Sequence, residues 1–150
     1  MYDRVRSILA SKGRTVHTST PTTTVFAAIA AMNERRIGAL VVIEAGAPIG
    51  ILTERDILVR LLAAEADPKV TLVSRVMTRD PIMVSPDTSV GEAMRIMTKH
   101  RCRHLPVTDV GELCGLISIG DLTNWVVRDQ QRRIDDLHGL TLQRFVGSLR

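Results

Sequence analysis

Apolar positions along this chain follow two rhythms, and each rhythm returns a second time. Val25, Phe26, Ile29 and Met32 fall at the spacing of one helix face, which predicts a helix over 22–36. ALVVI at 39–43 is an unbroken apolar run of strand length; EAGAP then turns the chain and IGILT at 49–53 returns, the pattern of a hairpin. TVHTSTP at 15–21 alternates like a short strand ended by proline, and a second helix is expected from Glu54 to about Ala66. The order β-α-β-β-α then recurs: IMVS at 82–85, a helix over 88–100, LPVTD at 105–109, a turn at Val110-Gly111, LCGLIS at 113–118 and a helix from Ile119.

A shift of 65 positions lays residues 17–60 on 82–125 without a gap. Pro21 falls on Pro86, Thr23 on Thr88, Val25 on Val90, Ala28 on Ala93, Met32 on Met97, Leu40 on Leu105, Gly46 on Gly111, Gly50 on Gly115 and Asp56 on Asp121. A period this long, present twice, marks a duplicated module rather than a solenoid. The expected fold is α/β, with each small sheet covered by helices on one face. Two such β-α-β-β-α modules, at 12–66 and 77–127, are expected to pack as a pseudo-two-fold pair with two quasi-equivalent clefts at the seam. Outside them lie an N-terminal segment (1–11), with a short helix over 3–11, and a C-terminal helix and tail (128–150). Val126, Val127, Ile134 and Leu137 prolong the last helix, which is predicted to stop near Gly139. Its apolar edge calls for a partner, either the first helix or a second subunit.

Composition changes this picture little. A chain of 150 residues with 45% apolar content buries a real core. No apolar run approaches the length that spans a bilayer, and MYDRVRSILASKGR lacks the apolar stretch of a signal peptide, so a cytoplasmic location without membrane attachment is expected. Cys102 and Cys114 lie opposite Ile37 and Ile49 in the repeat, which suits small core residues better than a disulfide or a metal pair. The net charge of +4 is spread over 35–36, 99–104 and 128–133, and four aromatic residues supply few stacking platforms. That argues against nucleic acid and suits a small anionic ligand.

Each returning strand ends alike, in Gly50-Ile-Leu-Thr-Glu-Arg-Asp56 and Gly115-Leu-Ile-Ser-Ile-Gly-Asp121. A hydroxyl followed three residues later by an acid is, at its simplest, a helix cap. The same junction also presents unpaired N–H groups and the positive end of a helix dipole, an anion site. A Thr or Ser hydroxyl can donate to a phosphate oxygen, a carboxylate can accept from both hydroxyls of a ribose, and glycine lets a flat ring approach the strand. Two copies at matching positions favour the ligand-binding reading.

Module order, core strands and paired glycine-to-aspartate endings resemble the CBS domain, named for cystathionine β-synthase, in the tandem form called a Bateman module. The resemblance covers about residues 12–127, and IGALVV, GILTERD, RHLPV and GLISIGDL look like small stand-alone CBS-pair proteins. It implies an adenine nucleotide in the clefts, AMP first, with ATP, ADP, NAD or S-adenosylmethionine as alternatives, and no metal. Asp56 and Asp121 would hold the ribose, with Thr53 and Ser118 on ribose or phosphate and Arg55 and Gly120 beside them. Ile51 and Leu116 would pack on adenine, and backbone near Val16 and Ile82 would read its edge. Ile37 and Gly38 would line the cleft floor; Arg103 and His104, in the same place of the second half, would meet phosphate, as would Lys12 and Arg14. The resemblance further implies a homodimer, and regulation of a client protein on another chain.

The two halves differ at these positions, Gly38-Ala39 against Arg103-His104 and Arg55 against Gly120, so unequal clefts are expected. Catalysis is disfavoured, because no nucleophile elbow, zinc-protease pattern or glycine-rich phosphate loop is present. His100, Cys102 and His104 could face a metal together only by departing from strand alternation. A dimerisation or interaction module without ligand is the remaining rival, and there the apolar positions Ile29, Met32, Met94 and Met97 would serve core or dimer.

Overall fold

A computed structural model describes the backbone of residues 3–147 and the side chains of residues 3–138; the outermost residues of both terminal segments lie outside it. The chain runs α1 (Val5–Lys12), β1 (Thr18–Ser19), α2 (Val25–Arg35), β2 (Ala39–Glu44), β3 (Ala47–Thr53), α3 (Glu54–Asp56, continued as π-helix through Ile57–Leu62), α4 (Val73–Val76), β4 (Thr78–Arg79), α5 (Val90–His100), β5 (His104–Asp109), β6 (Glu112–Ser118) and α6 (Ile119–Gly147). Thr24 caps α2 by accepting from the Ala27 amide, and Ser89 caps α5 by accepting from the Glu92 amide, repeat mates doing the same task.

The two hairpins superpose in register. Leu40 pairs with Leu52 and Val42 with Gly50; Leu105 pairs with Ile117 and Val107 with Gly115, and each hairpin carries its irregularity one step later. Both turn through two residues of positive φ, Ala45-Gly46 and Val110-Gly111, the twist that a two-residue hairpin requires. Half one builds a four-stranded sheet in the order β1-β2-β3-β4, whereas half two has β5-β6 alone, with a parallel bridge from Val84 to Val107.

The strands expected at 15–21 and 82–85 therefore shrink, to Thr18–Ser19 and to that single bridge. Pro21, Pro81 and Pro86 bound them and remove ladder donors. The helix expected over 54–66 becomes one α-turn and a π-turn, ending at Glu65 in the left-handed region. Helix α6 passes through Gly139 to Gly147. A lone glycine costs a helix only about 1 kcal/mol, and no proline follows to stop it.

Two hydrophobic cores form. One gathers Val25, Ala28, Met32, Leu40, Val42, Leu52 and Leu61 with Val73 and Val76 of α4 and Met77 just after it. The other gathers Val90, Ala93, Met97, Leu105, Val107, Ile117 and Leu122 with Val5, Ile8 and Leu9 of α1. The N-terminal helix thus packs in the second core. Its bonds there copy those of α4 in the first: the Val5 and Arg6 amides donate to the Thr88 and Pro86 carbonyls, as those of Val73 and Ser74 donate to Thr23 and Pro21. Ile29, Met94, Cys102 and Cys114 pack on the core margins, and both cysteines are free. Phe26, placed on the helix face by its spacing, is instead 52% exposed.

Candidate functional site

The strand-to-helix junctions fold as their sequence directs. In half one the Thr53 amide and hydroxyl both donate to Asp56 Oδ2 (2.9 Å each), and the Asp56 amide donates back to Thr53 Oγ1. Thr78 Oγ1 donates to Asp56 Oδ1 at 2.9 Å from β4, and Arg60 lies 3.9 Å from the same oxygen. This carboxylate is the one buried charged side chain among the described residues. In half two the Ser118 amide donates to Asp121 Oδ2, and Lys12 Nζ donates to the same oxygen at 2.6 Å. Burial pushes the Asp121 carboxyl up, but bonds from Lys12 and the Ser118 amide outweigh it and hold the group below the usual carboxylate range.

Two clefts open between the halves. The first, about 450 Å³, brings Ile51, Thr53, Arg55 and Asp56 of half one against Ile82, Arg103 and His104 of half two. Val59 and Arg60 of the π-turn, Thr78 and Asp80 after α4, and His100 to Cys102 at the end of α5 complete its wall. Its size suits a nucleotide-sized molecule. Four guanidiniums line it, from Arg55, Arg60, Arg101 and Arg103, against two carboxylates from Asp56 and Asp80. Arg60 is occupied, donating to the Val76 and Met77 carbonyls. The side chains of Arg55, Arg101 and Arg103 make no hydrogen bond or ion pair among the described residues. An anion entering here would relieve their mutual repulsion.

The second cleft, about 520 Å³, is lined by Ile37, Gly38, Arg36 and Glu54 from half one, with Ser118, Gly120, Arg103 and His104 from half two. Arg103 and His104 thus face both clefts. Burial, then the neighbouring Arg103 charge, lower the His104 pKa, so the imidazole is neutral at pH 7. Glu54 stands over Gly38, where an added Cβ would meet its carboxylate at 3.4 Å.

Seven of the sequence-derived candidates meet in the first cleft. Leu116, Asp121, Val16, Lys12 and Arg14 line neither cleft; Leu116 and Asp121 are tied to Lys12 instead. A Cβ at Gly50 would meet Met77 Sδ at 2.7 Å, and one at Gly115 would meet the Leu9 methyls at 2.7 Å, so each glycine makes room for the helix that enters its core. Thr78 and the pair Arg36 and Arg101 went unselected. The two arginines are identical at the repeat distance, both close a helix in the left-handed conformation, and each lines one cleft.

Comparison with known proteins accords with this geometry. The CBS domain family profile matches residues 5–63 and 73–128. A mitochondrial CBS domain-containing protein of Arabidopsis thaliana, CBSX3, is 35% identical over 143 residues, covering 89% of this chain and 69% of that protein. YhcV of Bacillus subtilis is 36% identical over 107 residues, covering 71% and 76%. The solved structure of a CBS-domain protein from Burkholderia ambifaria superposes with a TM-score of 0.83 at 45% identity, over 85% of this chain and 96% of that one. No helix among the described residues is long and apolar enough to cross a membrane. Duplicated register, crossed helices and family profile together make this chain a member of the CBS-domain family, a tandem pair of the class that generally serves as a regulatory module.

Proposed function

We propose that this CBS pair is a non-catalytic cytoplasmic sensor that binds an adenine nucleotide, AMP foremost, in the first cleft and reports occupancy to a client protein. The observation that carries this reading is the cleft holding three guanidiniums without a partner among the described residues, beside the Thr53–Asp56 junction and the apolar Ile51 and Ile82. Charge-assisted bonds to phosphate contribute about 1.5–3 kcal/mol each, against an association cost of several kcal/mol, which makes micromolar affinity reachable. Occupancy can alter a client only through differential affinity for two states of the pair. Homodimerisation is supported by Leu58, Val59 and Leu62, apolar side chains of the π-turn that are each more than half exposed.

One observation favours the rival, an interaction module without ligand: the Asp56 carboxylate already accepts from Thr53 and Thr78, the arrangement of a helix cap. A thermal-shift titration with AMP, ATP, NAD and S-adenosylmethionine separates the two. Ligand at about 100 times its Kd stabilises by about 2.7 kcal/mol, several degrees for a chain of this length. A shift with one nucleotide, lost in Arg103→Ala, supports sensing. No shift with any of the four leaves Asp56 a cap and the module an interaction platform.

A further inference from the structure

Resting on the reading of Asp56 and Asp121 as repeat-related ligand positions, we propose that Lys12 acts as a plug beside the second cleft, holding Leu116 and Asp121 out of it, so that the chain takes a single nucleotide, in the first. Ile51, Thr53 and Asp56 all line the first cleft. Of their repeat mates Leu116, Ser118 and Asp121, only Ser118 lines the second. The two that are missing are the two that Lys12 holds: its ammonium donates to the Leu116 carbonyl at 2.9 Å and to Asp121 Oδ2 at 2.6 Å.

The cause lies in the backbone. A shift of 68 positions lays Val5, Ile8 and Leu9 of α1 on Val73, Val76 and Met77. In half one α4 stops at Val76 and the chain becomes β4, which pairs Thr78 with Ile51 on the free edge of β3. Helix α1 instead continues to Lys12, and no described strand pairs with β6 on the side away from β5. The lysine stem reaches across and supplies the missing donor to that edge. The substitution is unequal. Thr78 offers Asp56 a neutral hydroxyl, which incoming ribose hydroxyls can replace in kind. Lys12 brings Asp121 a full positive charge along with its donor, an ion pair that a nucleotide would have to break before that carboxylate oxygen could accept from it.

Isothermal titration of the full chain with AMP tests this, using wild type, Lys12→Ala, and Lys12→Ala combined with Asp56→Ala or with Asp121→Ala. Lys12→Gln, which keeps the stem and removes the charge, stands in should the alanine variant melt early. The expected result is one AMP per wild-type chain, two per Lys12→Ala chain, and one again in each double variant. Two AMP bound by wild type, or one still bound by Lys12→Ala, overturns the plug and leaves the first-cleft reading standing. No binding by wild type with one AMP bound by Lys12→Ala keeps the plug and overturns the first-cleft reading. No binding by either overturns both.

Discussion

Val110 carries a cost that its repeat mate Ala45 carries more lightly. Both stand at positive φ at the first position of a hairpin turn, but Val110 is β-branched and 99% exposed, with nothing packed on it to repay the strain. Left-handed backbone costs an ordinary side chain about 1–2 kcal/mol, and asparagine tolerates it. Val110→Asn is expected to raise stability by about 1 kcal/mol, read as a higher denaturation midpoint at unchanged slope; an unmoved midpoint would refute the strain. His104 predicts a pH dependence. Burial and Arg103 depress its folded pKa below the unfolded value of about 6.5, with Asp121 and Glu54 pulling the other way and Lys12 adding to the depression. Between the two values the unfolded chain binds more protons, so stability is full above about pH 6.5 and falls as pH drops through that window. In His104→Gln this part of the acid sensitivity should disappear from melting curves taken between pH 7.5 and 5; identical curves would show that the imidazole titrates normally.

At the scale of elements, the two helices that precede the short strands belong to cores that chain order alone does not assign. Leu9 is 1% exposed and fills the hollow left by Gly115, as Met77 fills the hollow at Gly50. Removing a buried leucine side chain costs about 2–5 kcal/mol, so Leu9→Ala should weaken the second core. Amide exchange is the measurement: protection should fall first in β5, β6 and α5, far along the chain, and less in β2 and β3 that follow Leu9 directly. Equal loss in both hairpins would mean that the cores unfold together. A lookalike of this helix was present in the sequence, since Val5, Ile8 and Leu9 match Val73, Val76 and Met77, but at a shift of 68 rather than 65. Three extra residues between α1 and β1 put this helix out of phase with the 65-residue repeat.

For the whole molecule, the seam decides which residues can act together. Arg103 reaches both clefts because β5 begins beside the junction of the two halves. Nucleotide affinity should therefore fall in Arg103→Ala and weaken further with salt, since exposed charges act over a screening length of about 8–10 Å. Binding that is insensitive to both would place the ligand elsewhere. Arg101→Ala should follow Arg103→Ala in direction, and Arg36→Ala should leave the first cleft unaffected, because only Arg101 of that repeat pair lines it.

The sequence alone determined the duplicated module, the strands of both hairpins, the hydroxyl-to-aspartate junctions and about half of the first cleft's wall. These are local or repeated features, set by apolar spacing, turn residues and caps that act within a few positions. It could not determine which helix enters which core, why Gly50 and Gly115 are glycine, or which contacts make the two clefts unlike. Those depend on side chains far apart in the chain meeting in space: Leu9 against Gly115, Met77 against Gly50, and Lys12 against Asp121 across 109 positions. Where β4 pairs in one half and a lysine stands in for it in the other, two nearly identical junctions acquire different surroundings, and tertiary packing rather than local pattern sets what each can bind.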